Sequence, residues 1–165
     1  MSAVKYINVP PSAVKAVAIA SDHAGFELKE LVAKTLKAMG YTVEDFGTKS
    51  LDSCDYPDYA RLAAQAVSNG TCQRGVICCG SGIGVSIVAN KVRRVRAALV
   101  FTPEQAKLSR QHNDANVLCL AGRSLNESEL GDVLKTWMTT EFEGGRHERR
   151  VQKIEASRQG EQGMF

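Results

Sequence analysis

Short apolar runs alternate with amphipathic stretches along this chain, regularly enough to be read as elements. Ala16-Val17-Ala18-Ile19-Ala20 is continuously apolar and ends in Ser21-Asp22-His23-Ala24-Gly25, the pattern of a strand buried on both faces that feeds a loop. From Phe26 to Met39, the residues Leu28, Leu31, Val32, Leu36 and Met39 recur at helical spacing, and Gly40 supplies the stop. Tyr41 to Phe46 reads as a second strand. Pro57 opens a second helix, with Leu62, Ala63, Ala66 and Val67 on one face and Asn69-Gly70 at its end. Gly75 to Cys79 is a third strand that runs straight into Gly80-Ser81-Gly82-Ile83-Gly84, with a helix to about Asn90. Arg96 to Phe101 is a fourth strand, and Thr102-Pro103 caps the next helix. Val117 to Leu120 is the fifth strand. Glu127 to Thr140 is a long helix that buries Leu130, Val133, Leu134, Trp137 and Met138.

Strands interleaved with helices in this way predict one α/β domain with a parallel sheet, over residues 16–150. Residues 1–15 read as an N-terminal arm and residues 151–165 as a polar C-terminal tail, in which Val151 and Ile154 begin a short helix. No internal repeat and no interdomain linker interrupts the pattern.

Composition narrows the function classes. A formal charge of +3 over 165 residues is too small to argue for nucleic acid. The arginines are clustered, however: Arg93, Arg94 and Arg96 in mid-chain, and Arg146, Arg149 and Arg150 beside His147. Such patches suit a small phosphorylated ligand or a solvated surface. No apolar run approaches the roughly 20 residues that span a bilayer, and the start of the chain lacks the apolar core of a signal peptide. The five cysteines form no regular framework, which predicts reduced thiols in a cytoplasmic protein. Without a C-x-x-C pair, and with three histidines scattered outside ligand spacing, neither a metal nor another cofactor is expected.

Ligands of an open parallel sheet bind outside the carboxyl ends of its strands. Four polar features are expected to gather there: Asp22-His23, the segment from Cys79 to Gly84, His112-Asn113-Asp114, and Gly122-Arg123. In the second of these, glycines at alternate positions turn the backbone sharply and aim successive N–H groups at an anion, and the following helix adds its positive end. Cys79 lies at the mouth of this turn, where those fields favour a thiolate. The same residues also fit a tight turn with an inert buried cysteine, and Cys78, pointing to the opposite face of the strand, reads as core. His112 fits either a catalytic acid or a cap on its helix, and Asp22-His23 either a ligand site or the cap of the first helix.

The motifs Asp22-His23-Ala24-Gly25, Asp55-Tyr56-Pro57, Cys79-Gly80-Ser81-Gly82-Ile83-Gly84-Val85-Ser86, Ala89-Asn90-Lys91, Ser109-Arg110-Gln111-His112-Asn113-Asp114 and Gly144-Gly145-Arg146-His147 occur in this order between Ala16 and Val151. Together they resemble the type B ribose-5-phosphate isomerases, whose wider family includes allose-6-phosphate and galactose-6-phosphate isomerases. The resemblance implies a Rossmann-like, three-layer α/β/α sandwich on a five-stranded parallel sheet. It implies a homodimer, often paired into tetramers, with active sites shared between subunits and no metal. By position, Cys79 matches the family's catalytic base and His112 the acid that opens the sugar ring. Asp22 and His23 match ligand contacts, and the amides of Gly80, Ser81, Gly82, Ile83 and Gly84, with Asn113, match the group that holds the enediolate. Arg123, Arg146 and Arg150 match the phosphate-binding arginines. One branch of the family replaces the cysteine by a glutamate at the position of Val85, so this chain falls with the cysteine-base branch. Ser81 stands where close relatives often have threonine, and it keeps the hydroxyl.

The resemblance therefore implies interconversion of ribose 5-phosphate and ribulose 5-phosphate through a cis-enediolate, a step of the non-oxidative pentose phosphate pathway, with a sugar phosphate as the partner and neither nucleic acid nor membrane. A hexose 6-phosphate is the alternative substrate. A nucleotide-binding module is disfavoured, because the loop lacks a Lys-Ser/Thr ending and follows the third strand. A redox or phosphatase cysteine would call for C-x-x-C or C-x5-R, and neither is present.

Overall fold

The computed structural model describes residues 8–156; Met1 to Ile7, the first part of the expected arm, and residues 157–165 of the expected tail lie outside it. Five strands form a parallel sheet in the order β2-β1-β3-β5-β4. They are β1 (Ala16–Ser21), β2 (Thr42–Asp45), β3 (Arg74–Cys79), β4 (Ala97–Leu99) and β5 (Val117–Ala121). The helices are α1 (Phe26–Ala38), α2 (Tyr56–Ser68), α3 (Ile83–Asn90), α4 (Pro103–Asn113), α5 (Glu127–Thr139) and α6 (Arg146–Ala156). The α/β class and the five-stranded parallel sheet agree with the sequence reading. β4 is shorter than Arg96 to Phe101: at its start the Arg96 N–H donates to the Asn116 side chain (2.8 Å) and not to a strand backbone. α6 begins at Arg146, earlier than the pair Val151 and Ile154 suggested.

Residue alternation along the strands builds two separate cores. Val17, Ile19, Val76, Cys78, Leu118 and Leu120 face the side covered by α1 and α5, where Leu28, Val32, Leu36, Leu134 and Trp137 pack on them. Ala18, Ala20, Ile77, Cys79, Val117 and Cys119 face α2 and α3. The buried face of α2 is almost all alanine (Ala60, Ala63, Ala64, Ala66), which lets that helix lie close to the sheet.

Buried charges tie the outer elements to this frame. Lys29 on α1 has a fully buried side chain whose ammonium meets Asp45 at the end of β2 (2.5 Å) and Glu30 (3.0 Å). Burial by itself would raise the proton affinity of Asp45, but hydrogen bonds from Lys29, Lys49 and the Gly47 N–H outweigh it and hold the carboxyl below its usual value. Asp45→Asn should therefore destabilise the fold by about 2–3 kcal/mol, at or below the low end of the range for a broken buried pair because Glu30 still reaches the ammonium. Urea unfolding measures this; an unchanged midpoint would mean the pair contributes nothing.

Candidate functional site

At the carboxyl edge of the sheet three loops are pressed together by bare backbone. A Cβ on Gly25 would lie 2.6 Å from the carbonyl carbon of Cys78, and one on Gly122 would lie 2.8 Å from the Ala24 oxygen. Side chains at these two positions would push the loops apart. The Gly122 N–H donates to the Cys79 carbonyl (2.8 Å) and the Arg123 N–H to the Gly80 carbonyl (3.1 Å), so the turn after β5 is fastened to the turn after β3. The guanidinium of exposed Arg123 lies over Gly80, 3.2 Å from where a Cβ would stand.

Cys79 is the last residue of β3 and is 5% exposed. Its Sγ accepts a hydrogen bond from the Gly82 N–H (3.1 Å), at the N-terminal end of α3. The donor is aimed by the left-handed backbone of Gly82, φ +73°, which caps the helix. Ser81 is exposed, and its hydroxyl accepts from the Ile83 N–H (3.3 Å). Gly84 supports the ring of Tyr56, whose carbons lie 2.6–2.8 Å from a hypothetical Cβ. The other cysteines differ by environment. Burial pushes the Cys78 and Cys119 thiols well above the ordinary value, and burial with the nearby Glu44 pushes Cys72 up to about 11. Those three stay neutral, and Cys78 belongs to the core on the opposite face, as expected.

Asp22 caps the turn His23–Gly25, accepting from the Gly25 N–H (3.0 Å). The Nδ1 of His23 accepts from the Cys54 N–H (3.2 Å), so its neutral ring carries the proton on Nε2 and can offer it to a ligand. The loop before α2 supplies this contact.

His112, Asn113 and Asp114 lie elsewhere, and the expectation that they join the other groups at the carboxyl edge is not met within one chain. α4 runs back against the strands, so its last residues reach the amino edge, where β5 begins. That strand alone separates the two edges by about 13 Å. Asp114 is used structurally: it pairs with Arg110 (2.7 Å) and Arg96 (3.3 Å), and Arg96 also reaches Glu155 on α6 (2.6 Å). Arg96 also donates through Nε to the Asn113 carbonyl (3.0 Å), so this member of the mid-chain arginine cluster is a brace and not a phosphate ligand. Arg146 and Arg150 are exposed on α6, at the same edge as His112.

Sequence reasoning missed what α6 brings here. The His147 ring, buried, stacks on His112 with centroids 4.3 Å apart and planes within 8°. These two histidines are thus not scattered. Glu143 Oε2 approaches His147 Nε2 (3.4 Å), and one ring nitrogen of each histidine and one Glu143 carboxylate oxygen lie within 4.8 Å of one another. Rings stacked face to face hold their lone pairs in parallel planes, which do not converge on an ion about 2.0–2.1 Å from each. As placed, the cluster does not fit a metal. The only sequence signal for it was the Gly144-Gly145-Arg146-His147 motif itself.

The model of a family described as ribose/galactose isomerase matches residues 17–154. The ribose-5-phosphate isomerase B of Escherichia coli is 41% identical over 146 residues, 88% of this chain and 98% of that protein. A probable ribose-5-phosphate isomerase B of Mycoplasma genitalium is 45% identical over 82% of this chain and 91% of its own length. Among solved structures, the Clostridium thermocellum ribose-5-phosphate isomerase B superposes with a TM-score of 0.86 at 46% identity, covering 88% of this chain and 98% of that one. The Mycoplasma genitalium enzyme with bound ribulose-5-phosphate gives 0.84 at 42% identity, covering 87% and 96%.

A side chain at residue 82 would meet the Leu99 methyl at 2.4 Å and would have to adopt a left-handed backbone. Gly82→Ala should cost about 2 kcal/mol or more, of which 1–2 is the backbone term alone. Thermal unfolding of the two proteins reads the difference, and equal midpoints would show that the turn relaxes freely.

Proposed function

The chain belongs to the ribose/galactose isomerase family, and on that footing we propose that it interconverts D-ribose 5-phosphate and D-ribulose 5-phosphate, with Cys79 as the base. The observation that carries the reading is the Gly82 N–H on Cys79 Sγ, at the mouth of a loop of backbone donors and under the Arg123 guanidinium.

In the proposed sequence the phosphate is bound by Arg123, Arg146 and Arg150, through charge-assisted and partly bidentate hydrogen bonds. His112 protonates the ring oxygen as the furanose opens, while Asp22 and the Nε2–H of His23 hold hydroxyls. Cys79 thiolate takes the proton from C2 of the open-chain aldose, leaving a cis-enediolate, and the thiol returns it to C1 as a proton passes from the C2 oxygen to the C1 oxygen. Negative charge on oxygen in between is met by the amides of residues 80–84 and by Asn113, each such donor being worth about 3 kcal/mol of barrier. No step calls for a metal or another cofactor.

The site is complete only if two copies meet. Cys79, Asp22, His23 and Arg123 stand at one edge of the sheet, and His112, Asn113, Arg146 and Arg150 at the other. A homodimer that sets the carboxyl edge of one subunit against the amino edge of the next joins the two halves. Ile83 and Ile87, 53% and 56% exposed on successive turns of α3 beside the glycine loop, offer an apolar surface for that contact. Pairing into tetramers and a cytoplasmic setting belong to the same reading. Among the described residues no helix is long and apolar enough to cross a membrane, and all five cysteines are free thiols.

Two experiments test this. Isomerisation of ribose 5-phosphate should survive exhaustive chelation and fall at least about 10³-fold in Cys79→Ala. A Cys79→Ala protein that keeps its activity would remove the mechanism, and native protein active only on allose or galactose 6-phosphate would change the substrate. Mixing Cys79→Ala with His112→Asn chains after dissociation should restore about a quarter of native activity, because half of the dimers are mixed and each of these has one intact site. No recovery from mixtures shown to contain mixed dimers would mean that each subunit is self-sufficient.

A further inference from the structure

His147 has no step of its own in the proposed reaction, yet its placement is elaborate for a surface helix residue. It lies at the start of α6, is 6% exposed, and covers His112 face to face. The connection that delivers it is specific. Gly144 and Gly145 both have positive φ (66° and 54°), which turns the chain back onto α4. The Glu143 N–H donates to the carbonyl of Gln111, the residue before His112 (3.1 Å), and the His147 N–H closes the turn on Gly144 (3.0 Å). At the far end of α6, Glu155 binds Arg96, which grips the carbonyls of Asn113 and Asp114. The helix is thus fastened at both ends to the segment that carries His112, and the stacked ring lies between the fastenings.

A half-exposed imidazole at a helix end has freedom about χ1 and χ2, and an acid that must meet one oxygen of a bound sugar loses rate with each misplaced rotamer. A second flat ring 4.3 Å away removes that freedom at χ2, because stacking fixes the plane and leaves the edge nitrogens clear. We propose that His147 is a positioning residue for the ring-opening acid, holding the plane of the His112 imidazole by stacking. This inference rests on the isomerase reading above and adds to it the residue that orients the acid.

The stacking role separates from a proton-carrying role by substitution. His147→Phe keeps a flat ring and cannot carry a proton, whereas His147→Ala removes the ring. The ring-opening step also separates from the proton transfer by substrate. Ribulose 5-phosphate, with its C5 oxygen esterified, cannot close a five-membered hemiketal and needs no ring-opening acid. Deuterium uptake from D2O at its C1 therefore follows Cys79 alone.

The experiment is isomerisation of ribose 5-phosphate by the native protein, His147→Ala and His147→Phe, with deuterium exchange at C1 of ribulose 5-phosphate followed by NMR. His147→Ala should lose roughly 30- to 100-fold in kcat on ribose 5-phosphate and keep exchange within a few-fold of native, which also shows that it is folded. His147→Phe should recover most of the loss. Isomerisation by His147→Ala within about 3-fold of native, or no recovery with phenylalanine, would overturn the proposal. Loss of exchange together with isomerisation would overturn it too, placing His147 in the proton transfer itself. A native protein that neither isomerises nor exchanges would instead remove the isomerase reading, and this inference with it.

Discussion

In a parallel βα repeat the chain reaches the carboxyl edge of the sheet only where a strand ends, and the amino edge only where a helix ends. The polar groups of the proposed site are distributed by that constraint. Cys79, Asp22, His23 and Arg123 follow strands and collect at one edge. His112, Asn113 and the arginines of α6 follow or begin helices and collect at the other. The two sets lie on opposite edges of one subunit, a strand's length apart, and the shared site proposed above follows from the direction of the chain.

The two edges are built by different means. The carboxyl edge is held by the absence of side chains: Gly25 and Gly122 let loops from three strands touch through their backbones, and the hydrogen bonds from Gly122 and Arg123 to Cys79 and Gly80 lock the contact. The same turn sets the Gly82 N–H on Cys79 Sγ and the Ile83 N–H on the Ser81 hydroxyl. The amino edge is held by charge. Arg96 and Arg110 meet Asp114, and Arg74, fully buried, donates to the carbonyls of Trp137 and Met138 at the end of α5. Guanidinium groups suit this work because their planar donors satisfy several carbonyls together. Burial and the neighbouring Arg110 lower the proton affinity of Arg74.

Cysteine chemistry is likewise set by position. Cys78 and Cys79 are neighbours in sequence, and strand alternation sends one into the α1/α5 core while the other ends the strand beneath the glycine turn. The Cys78 thiol is enclosed by the apolar core on its side, and that of Cys79, buried on the other face, receives an N–H from Gly82. The identity of the residue is the same at both positions, and the difference follows from the face together with the strand's end: Cys119 shares the face of Cys79 but sits in the middle of β5, where burial keeps its thiol neutral.

The amino-acid sequence by itself determined the α/β class, the run of strands and helices, the glycine turn after the third strand and the family motifs, because periodicity, glycine stops and helix caps act over a few residues. Cys79 and its loop were legible for the same reason: strand, turn and helix are contiguous. Tertiary structure alone decided what depends on contacts across many residues. It sent His112 and Asn113 to the amino edge, turned Arg96 from a candidate ligand into a brace, and laid His147 on His112, 35 positions away along the chain. Local pattern fixes the direction in which each element runs, but only packing decides which element ends face each other.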